Sequence, residues 1–134
     1  MFLEVVRSPG LAHLSYVVGD GTQAAVIDPR RDCEIYLDIA YAHGAQITHI
    51  FESHRNEDFV IGSQDLAQRT NAAIYHGYAF PFGYGNAVRE NDEFAIGSAM
   101  LRVIETPGHT EESICLALLD NSFGEGAVGV FTGD

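Results

Sequence analysis

The chain has 134 residues, 46% of them hydrophobic and 19% charged, so it can bury a core and is not a low-complexity disordered sequence. Nineteen acidic residues stand against seven basic ones, all arginine, and the formal net charge of −12 argues against binding to nucleic acid or to anionic membrane surfaces. No apolar run approaches the roughly 18 residues of a membrane span. The opening segment is too short and too acidic for a signal peptide, so we expect a cytoplasmic protein.

The predicted elements begin with strands and continue with alternating helices and strands. Asp32 is the expected N-cap of a helix over 33–43, Gly44 is its expected stop, and a second helix is predicted over 62–70. Apolar patterning and turn residues predict strands at 1–6, 13–18, 24–27, 47–51, 73–75, 93–96, 100–104, 114–119 and 128–132. The predicted class is therefore α/β or α+β, in one domain over residues 1–134. Cys33 and Cys115 belong to no Cys-x-x-Cys motif, and we expect them to be buried thiols.

An aromatic and glycine-rich segment, residues 75–86, is predicted to be a loop. Its rings either fold onto the core of the protein itself or form one wall of a substrate pocket. Tyr78 and Tyr84 are the pocket candidates in this segment.

Three polar segments, 51–59, 105–110 and 131–134, each begin where an apolar strand ends. Strand-end loops of an α/β sheet converge on one rim, where sites are built. The side chains that a metal would use there are His54, His109 and Asp134. Each alone is weak evidence, since a single histidine is commonly a hydrogen-bonded structural residue and an aspartate after Thr-Gly is commonly a turn residue. Together they form a two-histidine, one-carboxylate set, which occupies one face of an octahedral iron and leaves three positions open.

These segments also resemble a known family. The order Asp28-Pro29-Arg30, the segment around His54, Thr106-Pro107-Gly108-His109-Thr110 and Phe131-Thr132-Gly133-Asp134 is similar to that of the metallo-β-lactamase superfamily. The branch it resembles contains the persulfide dioxygenases and the rhodanese-fused proteins similar to them. The resemblance implies an αββα sandwich. It also implies that this chain holds the N-terminal half of that fold plus the strand ending in Asp134, as a truncated or partial domain of a longer protein.

The main departure lies in the family motif His-x-His-x-Asp-His. In this chain the motif reads His54-Arg55-Asn56-Glu57-Asp58-Phe59. Asn56 and Phe59 replace histidines that a two-zinc hydrolase needs, one for each metal. The persulfide dioxygenases, by resemblance, hold a single iron through positions that correspond to His54, His109 and Asp134. The substitutions therefore remove the dinuclear centre and retain the mononuclear one.

Other residues of the motif are expected to support the metal ligands or the substrate. A metal-bound histidine usually donates its free N–H to a carboxylate or carbonyl, and Asp58 is a candidate partner. Asn56 is a further candidate beside the metal. Arg55 would pair with a substrate carboxylate or with Asp58, or would form only a surface ion pair.

The resemblance implies an iron(II) enzyme that oxidises a low-molecular-weight thiol persulfide to sulfite. Two alternatives stay open: a zinc-dependent thioester hydrolase of the glyoxalase II type, and a metal-free, non-catalytic module of a rhodanese-type sulfurtransferase. The expected partners are a small thiol persulfide or thioester and a fused or separate rhodanese domain. A sheet face left uncovered in a partial domain also predicts a homo-oligomer. Activity of this chain alone is therefore doubtful.

Overall fold

The structure, a computed structural model, describes residues 1–8, 13–55, 61–80, 82–120 and 127–133. Its helices are α1, Glu34–Ala42, and α2, Ser63–Thr70. Its strands are β1 (Phe2–Arg7), β2 (Leu14–Asp20), β3 (Gln23–Ile27), β4 (Gln46–Glu52), β5 (Ala73–Gly77), β6 (Asn86–Val88), β7 (Glu93–Ile96), β8 (Ala99–Glu105), β9 (Ile114–Asp120) and β10 (Ala127–Phe131). No helix in these ranges is long and apolar enough to cross a membrane.

The first sheet has the order β1-β2-β3-β4-β5-β6. Its first three strands are antiparallel, and β2 turns into β3 at Gly21, whose φ of +62° suits a glycine in a tight turn. From β3 onward the strands are parallel. Parallel neighbours need a crossover, and α1 and α2 supply it between β3 and β4 and between β4 and β5.

Alternate side chains of the first sheet enter two different cores. Val17 and Val26 face the helices and pack with Tyr36 of α1 and Leu66 of α2. Val18, the next residue, faces the opposite way and joins the core between the two sheets. This alternation is the period-two pattern of a strand that is covered on both faces.

The second sheet is antiparallel, with the order β10-β9-β8-β7. Its inner face contributes Leu101, Val103, Leu116 and Phe131 to the core between the sheets. Within the described residues no helix covers its outer face, and Val128 and Val130 of β10 are about half exposed there. The described residues therefore form three layers, which are the two helices, the first sheet and the second sheet.

Most of the predicted elements are confirmed, and so is the mixed α/β class. The predicted Asp32 cap is wrong, because the N-cap is Cys33 and no side chain caps α1. Gly44 does end α1, with a φ of +68°. The prediction of a loop over 75–86 is wrong at both ends, because β5 continues to Gly77 and the short strand β6 begins at Asn86. Cys33 and Cys115 are buried free thiols, as predicted.

Candidate metal centre

The candidate centre lies where the parallel strands β3 and β4 end side by side. Ile27 pairs with Phe51, and the backbone N–H of Asp28 donates to the carbonyl of Phe51 at 2.8 Å. Asp28 therefore faces the segment that follows β4, which carries Ser53 and His54. Asp28 has a φ of 55°, and aspartate tolerates this left-handed conformation better than most residues do.

A short hydrogen-bond chain connects Asp28 to His54 through Ser53. The backbone N–H of Ser53 donates to Oδ1 of Asp28 at 2.7 Å, and the Ser53 hydroxyl lies 2.6 Å from Oδ2. The same hydroxyl lies 3.0 Å from Nδ1 of His54. All three residues are buried. Burial raises the pKa of the Asp28 carboxyl, although the two hydrogen bonds from Ser53 act in the opposite direction.

His54 and His109 come together although they are far apart in sequence. Their ring centroids lie 5.1 Å apart with the planes at 78°. His109 sits in the segment after β8, and the chain returns to the centre where the N–H of Ile114 donates to the carbonyl of Ser53 at 2.8 Å. His54 is only 6% exposed, and its buried Nε2 has no hydrogen-bond partner among the described residues.

Gly133 also lies at this centre, beside Ser53 and His54. A Cβ added to Gly133 would lie 2.6 Å from Oγ of Ser53 and 3.9 Å from Nδ1 of His54. Gly133 has a φ of +66°, so two independent constraints favour glycine here. Asp134, the predicted carboxylate ligand, lies outside the described residues, as do Asn56, Asp58 and Phe59.

Glu52, the last residue of β4, anchors the aromatic segment to the strand that leads to His54. The hydroxyl of Tyr84 donates to Oε2 of Glu52 at 2.6 Å, and Glu52 is 1% exposed. Burial raises the pKa of the Glu52 carboxyl to about 7, although the hydrogen bond from Tyr84 lowers it. Tyr84 therefore serves as an anchor whose hydroxyl points to the buried acid.

Two further rings of the aromatic segment, Phe80 and Tyr78, lie against arginine side chains. The guanidinium of Arg55 lies 4.1 Å from the ring centroid of Phe80, and that of Arg89 lies 3.9 Å from the ring centroid of Tyr78. Tyr78 is 44% exposed and lines a pocket of about 230 Å³. The segment thus folds partly onto the protein, through Tyr84, and partly lines a cavity, through Tyr78.

Three residues of this centre were missed by the sequence interpretation: Asp28, Ser53 and Glu52. A usable signal was present for Asp28 and Ser53. The helix predicted over 33–43 connects two strands, and such a crossover makes them parallel neighbours. Asp28 directly follows the first of these strands and Ser53 directly follows the second. The pairing of Glu52 with Tyr84 had no such signal, since it depends on how the aromatic segment folds.

The donors at this centre suit a metal ion such as zinc or iron. Two imidazoles lie close together, and the inward nitrogen of one is buried without a protein partner in the described ranges. No group of three His, Cys, Asp or Glu side chains assembles among the described residues. Asp134 follows Gly133 in the sequence and lies outside them.

Comparison with known proteins decides the family. The sequence profile of the metallo-beta-lactamase superfamily matches residues 8–134. This chain belongs to that superfamily. Members of the superfamily bind metal ions, zinc or iron. The family predicted from the Asp-Pro, Thr-Pro-Gly-His-Thr and Thr-Gly-Asp segments is thereby confirmed.

Three individual proteins show how similar this chain is to other members of the superfamily. It is 38% identical over 120 residues to the hydroxyacylglutathione hydrolase of Rhodospirillum rubrum, covering 81% of this chain and 46% of the relative. A crystal structure of ETHE1 from Myxococcus xanthus matches 88% of this chain and 54% of that chain, with a TM-score of 0.82 and 28% identity. A metallo-beta-lactamase from Staphylococcus aureus matches 98% of this chain and 43% of that chain, with a TM-score of 0.90 and 34% identity. The chain thus spans about half the length of these relatives, or less.

Proposed function

We propose that this chain carries the metal-binding half of a mononuclear iron enzyme that oxidises a small thiol persulfide to sulfite. His54, His109 and Asp134 would hold the iron(II). The observation that carries the proposal is the contact between His54 and His109, in which His54 is buried and its Nε2 lacks a protein partner in the described residues. Asn56 and Phe59 replace two motif histidines that a two-zinc centre needs, one for each metal, which disfavours a dinuclear centre.

The chain's own residues have definite roles under this proposal. The metal would supply a centre at which a sulfur substrate and dioxygen can react. His54 is held in place by Ser53 and Asp28, and Arg55 and Arg89 put positive charge beside the aromatic segment. Such arginines suit a substrate that carries carboxylates. Tyr78 would form part of the pocket wall.

A second function is favoured by a specific observation, the 38% identity to a hydroxyacylglutathione hydrolase. The same ligands holding zinc would then acidify a water molecule that attacks a thioester.

A third proposal is a metal-free module that supports a rhodanese-type sulfurtransferase domain. A rhodanese domain, fused or separate, and a second copy of this chain are the proposed protein partners.

Metal content distinguishes these functions first. The chain would be purified anaerobically with iron and zinc both supplied, beside H54A, H109A and the control H43A, whose ring stacks on Phe2 away from the centre. We expect one iron per chain in the wild type and in H43A, and none in the other two. Glutathione persulfide should then drive oxygen consumption. Zinc alone, with hydrolysis of a glutathione thioester, would support the second function, and absence of metal from the wild type would support the third.

A further inference from the structure

We propose that Asp28, acting through Ser53, decides which ring nitrogen of His54 carries the proton. Only the consequence of this proton position for metal binding rests on the proposed function, in which His54 is a metal ligand. Asp28 does not line the pocket at Tyr78 and connects to His54 through Ser53, so its role is to position and prepare His54. The hydrogen-bond chain of three buried residues carries the argument.

The direction of each hydrogen bond follows from counting hydrogens. The Asp28 carboxylate can only accept, and it receives the backbone N–H of Ser53 on Oδ1 and the Ser53 hydroxyl on Oδ2. A hydroxyl has a single hydrogen, and Asp28 takes it. Oγ of Ser53 therefore presents a lone pair to Nδ1 of His54, 3.0 Å away, and Nδ1 must be the nitrogen that carries the proton.

The proton on Nδ1 determines the state of the other ring nitrogen, Nε2. A neutral imidazole has one N–H, so a proton on Nδ1 leaves Nε2 with a free lone pair. Nε2 is the buried atom for which the described residues offer no partner. A metal ion needs that lone pair, and a proton on Nε2 would block it.

Asparagine at position 28 should reverse this arrangement. The backbone N–H of Ser53 still needs an acceptor, so the amide carbonyl must take the place of Oδ1 and the NH₂ group must take the place of Oδ2. The NH₂ group donates to Ser53, whose hydroxyl hydrogen then turns to Nδ1 of His54. The proton of the ring moves to Nε2. Asparagine also tolerates the positive φ of this position, so the backbone has no reason to change.

The test is the ring ¹⁵N spectrum of His54 in the metal-free chain at pH 8, from long-range proton–nitrogen correlations. We expect the Nδ1–H form in the wild type and in S53T, the Nε2–H form in D28N, and loss of the strong preference in S53A. D20N is the control, because Asp20 also accepts the hydroxyl and the backbone N–H of a serine, Ser98, both on Oδ2, at a remote site. It should leave the His54 spectrum unchanged.

Binding of Zn²⁺ alone to the same variants completes the test. We expect D28N to bind about 10–100-fold more weakly than the wild type, the usual loss when a partner of a metal-bound histidine is changed. An Nε2–H form in the wild type, or an unchanged Nδ1–H form in D28N, overturns the inference. If the ring protons behave as expected but the wild type binds no zinc or iron, the inference stands and the proposed function fails.

Discussion

Two residues of β4, Glu52 and His49, combine burial with polarity, and that combination makes them sensitive to small changes. Glu52 is buried to 1% exposure and relies on the hydroxyl of Tyr84, while His49 is half-buried among aromatic rings. A buried polar atom that loses its only partner costs more than the lost hydrogen bond, because it has also lost water. Substitutions that remove a single polar group at these residues should therefore change the free energy of unfolding measurably.

Removing the hydroxyl of Tyr84 should destabilise the protein. Y84F leaves Oε2 of Glu52 without this donor, and we expect a loss of about 1–3 kcal/mol in the free energy of unfolding. Y41F, at a tyrosine that is 87% exposed, is the matched control and should change stability by less than about 0.5 kcal/mol. Urea denaturation of the three proteins at one pH measures the effect. Equal stability of Y84F and the wild type would contradict the proposed anchoring of the aromatic segment.

His49 should make stability depend on pH in the mildly acidic range. Burial lowers the pKa of its imidazole below the ordinary value of 6.5, so the unfolded chain binds a proton at a pH where the folded chain does not. The contribution of His49 is therefore lost as the pH falls below about 6.5. H49F keeps the ring packing against Phe51, Tyr75 and Phe94 but cannot titrate.

The comparison of wild type with H49F isolates this residue, because all other groups are shared. Between pH 7.5 and pH 5.5 the free energy of unfolding should fall more in the wild type than in H49F. Denaturation curves at several pH values measure the difference. Parallel pH profiles would show that His49 titrates alike in the folded and unfolded chains.

At the scale of elements, strands and helices were predictable where hydrophobic periodicity decides them. β4, α1 and β9 follow directly from their apolar patterns, whereas β6 is three residues long and lies beside an aromatic, glycine-rich segment that carries no such pattern. The Asp32 cap was wrong because a preferred residue type at the right place does not ensure the cap geometry.

The residues of the candidate site that the sequence interpretation brought forward were the two histidines proposed as metal ligands. His54 and His109 stand out because each follows a strand, and a family motif surrounds them. The partners of His54 depend on β3 and β4 being parallel neighbours, which places Asp28 beside Ser53. No residue pattern around position 28 or 53 itself shows that pairing, and the signal for it was the helix predicted over 33–43 between the two strands.

The close packing of β5 against the segment that carries His109 gives a prediction at this scale. A Cβ on Gly77 would lie 2.1 Å from the backbone carbonyl oxygen of Glu112, so G77A must push that segment away from β5. We expect a loss of about 1–3 kcal/mol in stability. Metal binding should weaken as well, because His109 moves relative to His54.

G129A is the matched control for this substitution. A Cβ at Gly129 meets no atom within 4 Å, so stability and metal affinity should stay close to those of the wild type. Thermal denaturation and zinc titration of both variants provide the measurements. If G77A behaved like G129A, the contact between β5 and Glu112 would not position the His109 segment.

At the scale of the whole molecule, the two sheets are covered unequally. Helices α1 and α2 cover the outer face of the first sheet, but within the described ranges nothing covers the outer face of the second. Strand β10 lies at the edge of that sheet, with Val128 46% and Val130 50% exposed. Unpaired edges and exposed apolar faces favour association with another chain.

We therefore expect this chain, expressed as residues 1–134, to associate with itself through the outer face and edge formed by β10. V128T/V130T keeps the strand propensity and the volume but makes both exposed side chains polar, so it should shift the protein toward monomer. Y41T, on the helix-covered side, is the control and should associate like the wild type. Sedimentation velocity over a range of concentrations separates the outcomes. A monomeric wild type would contradict the homo-oligomer. Association that persists in V128T/V130T would show that the contact lies on another surface. Leu3 and Val5 of β1 are then the next exposed apolar side chains to substitute.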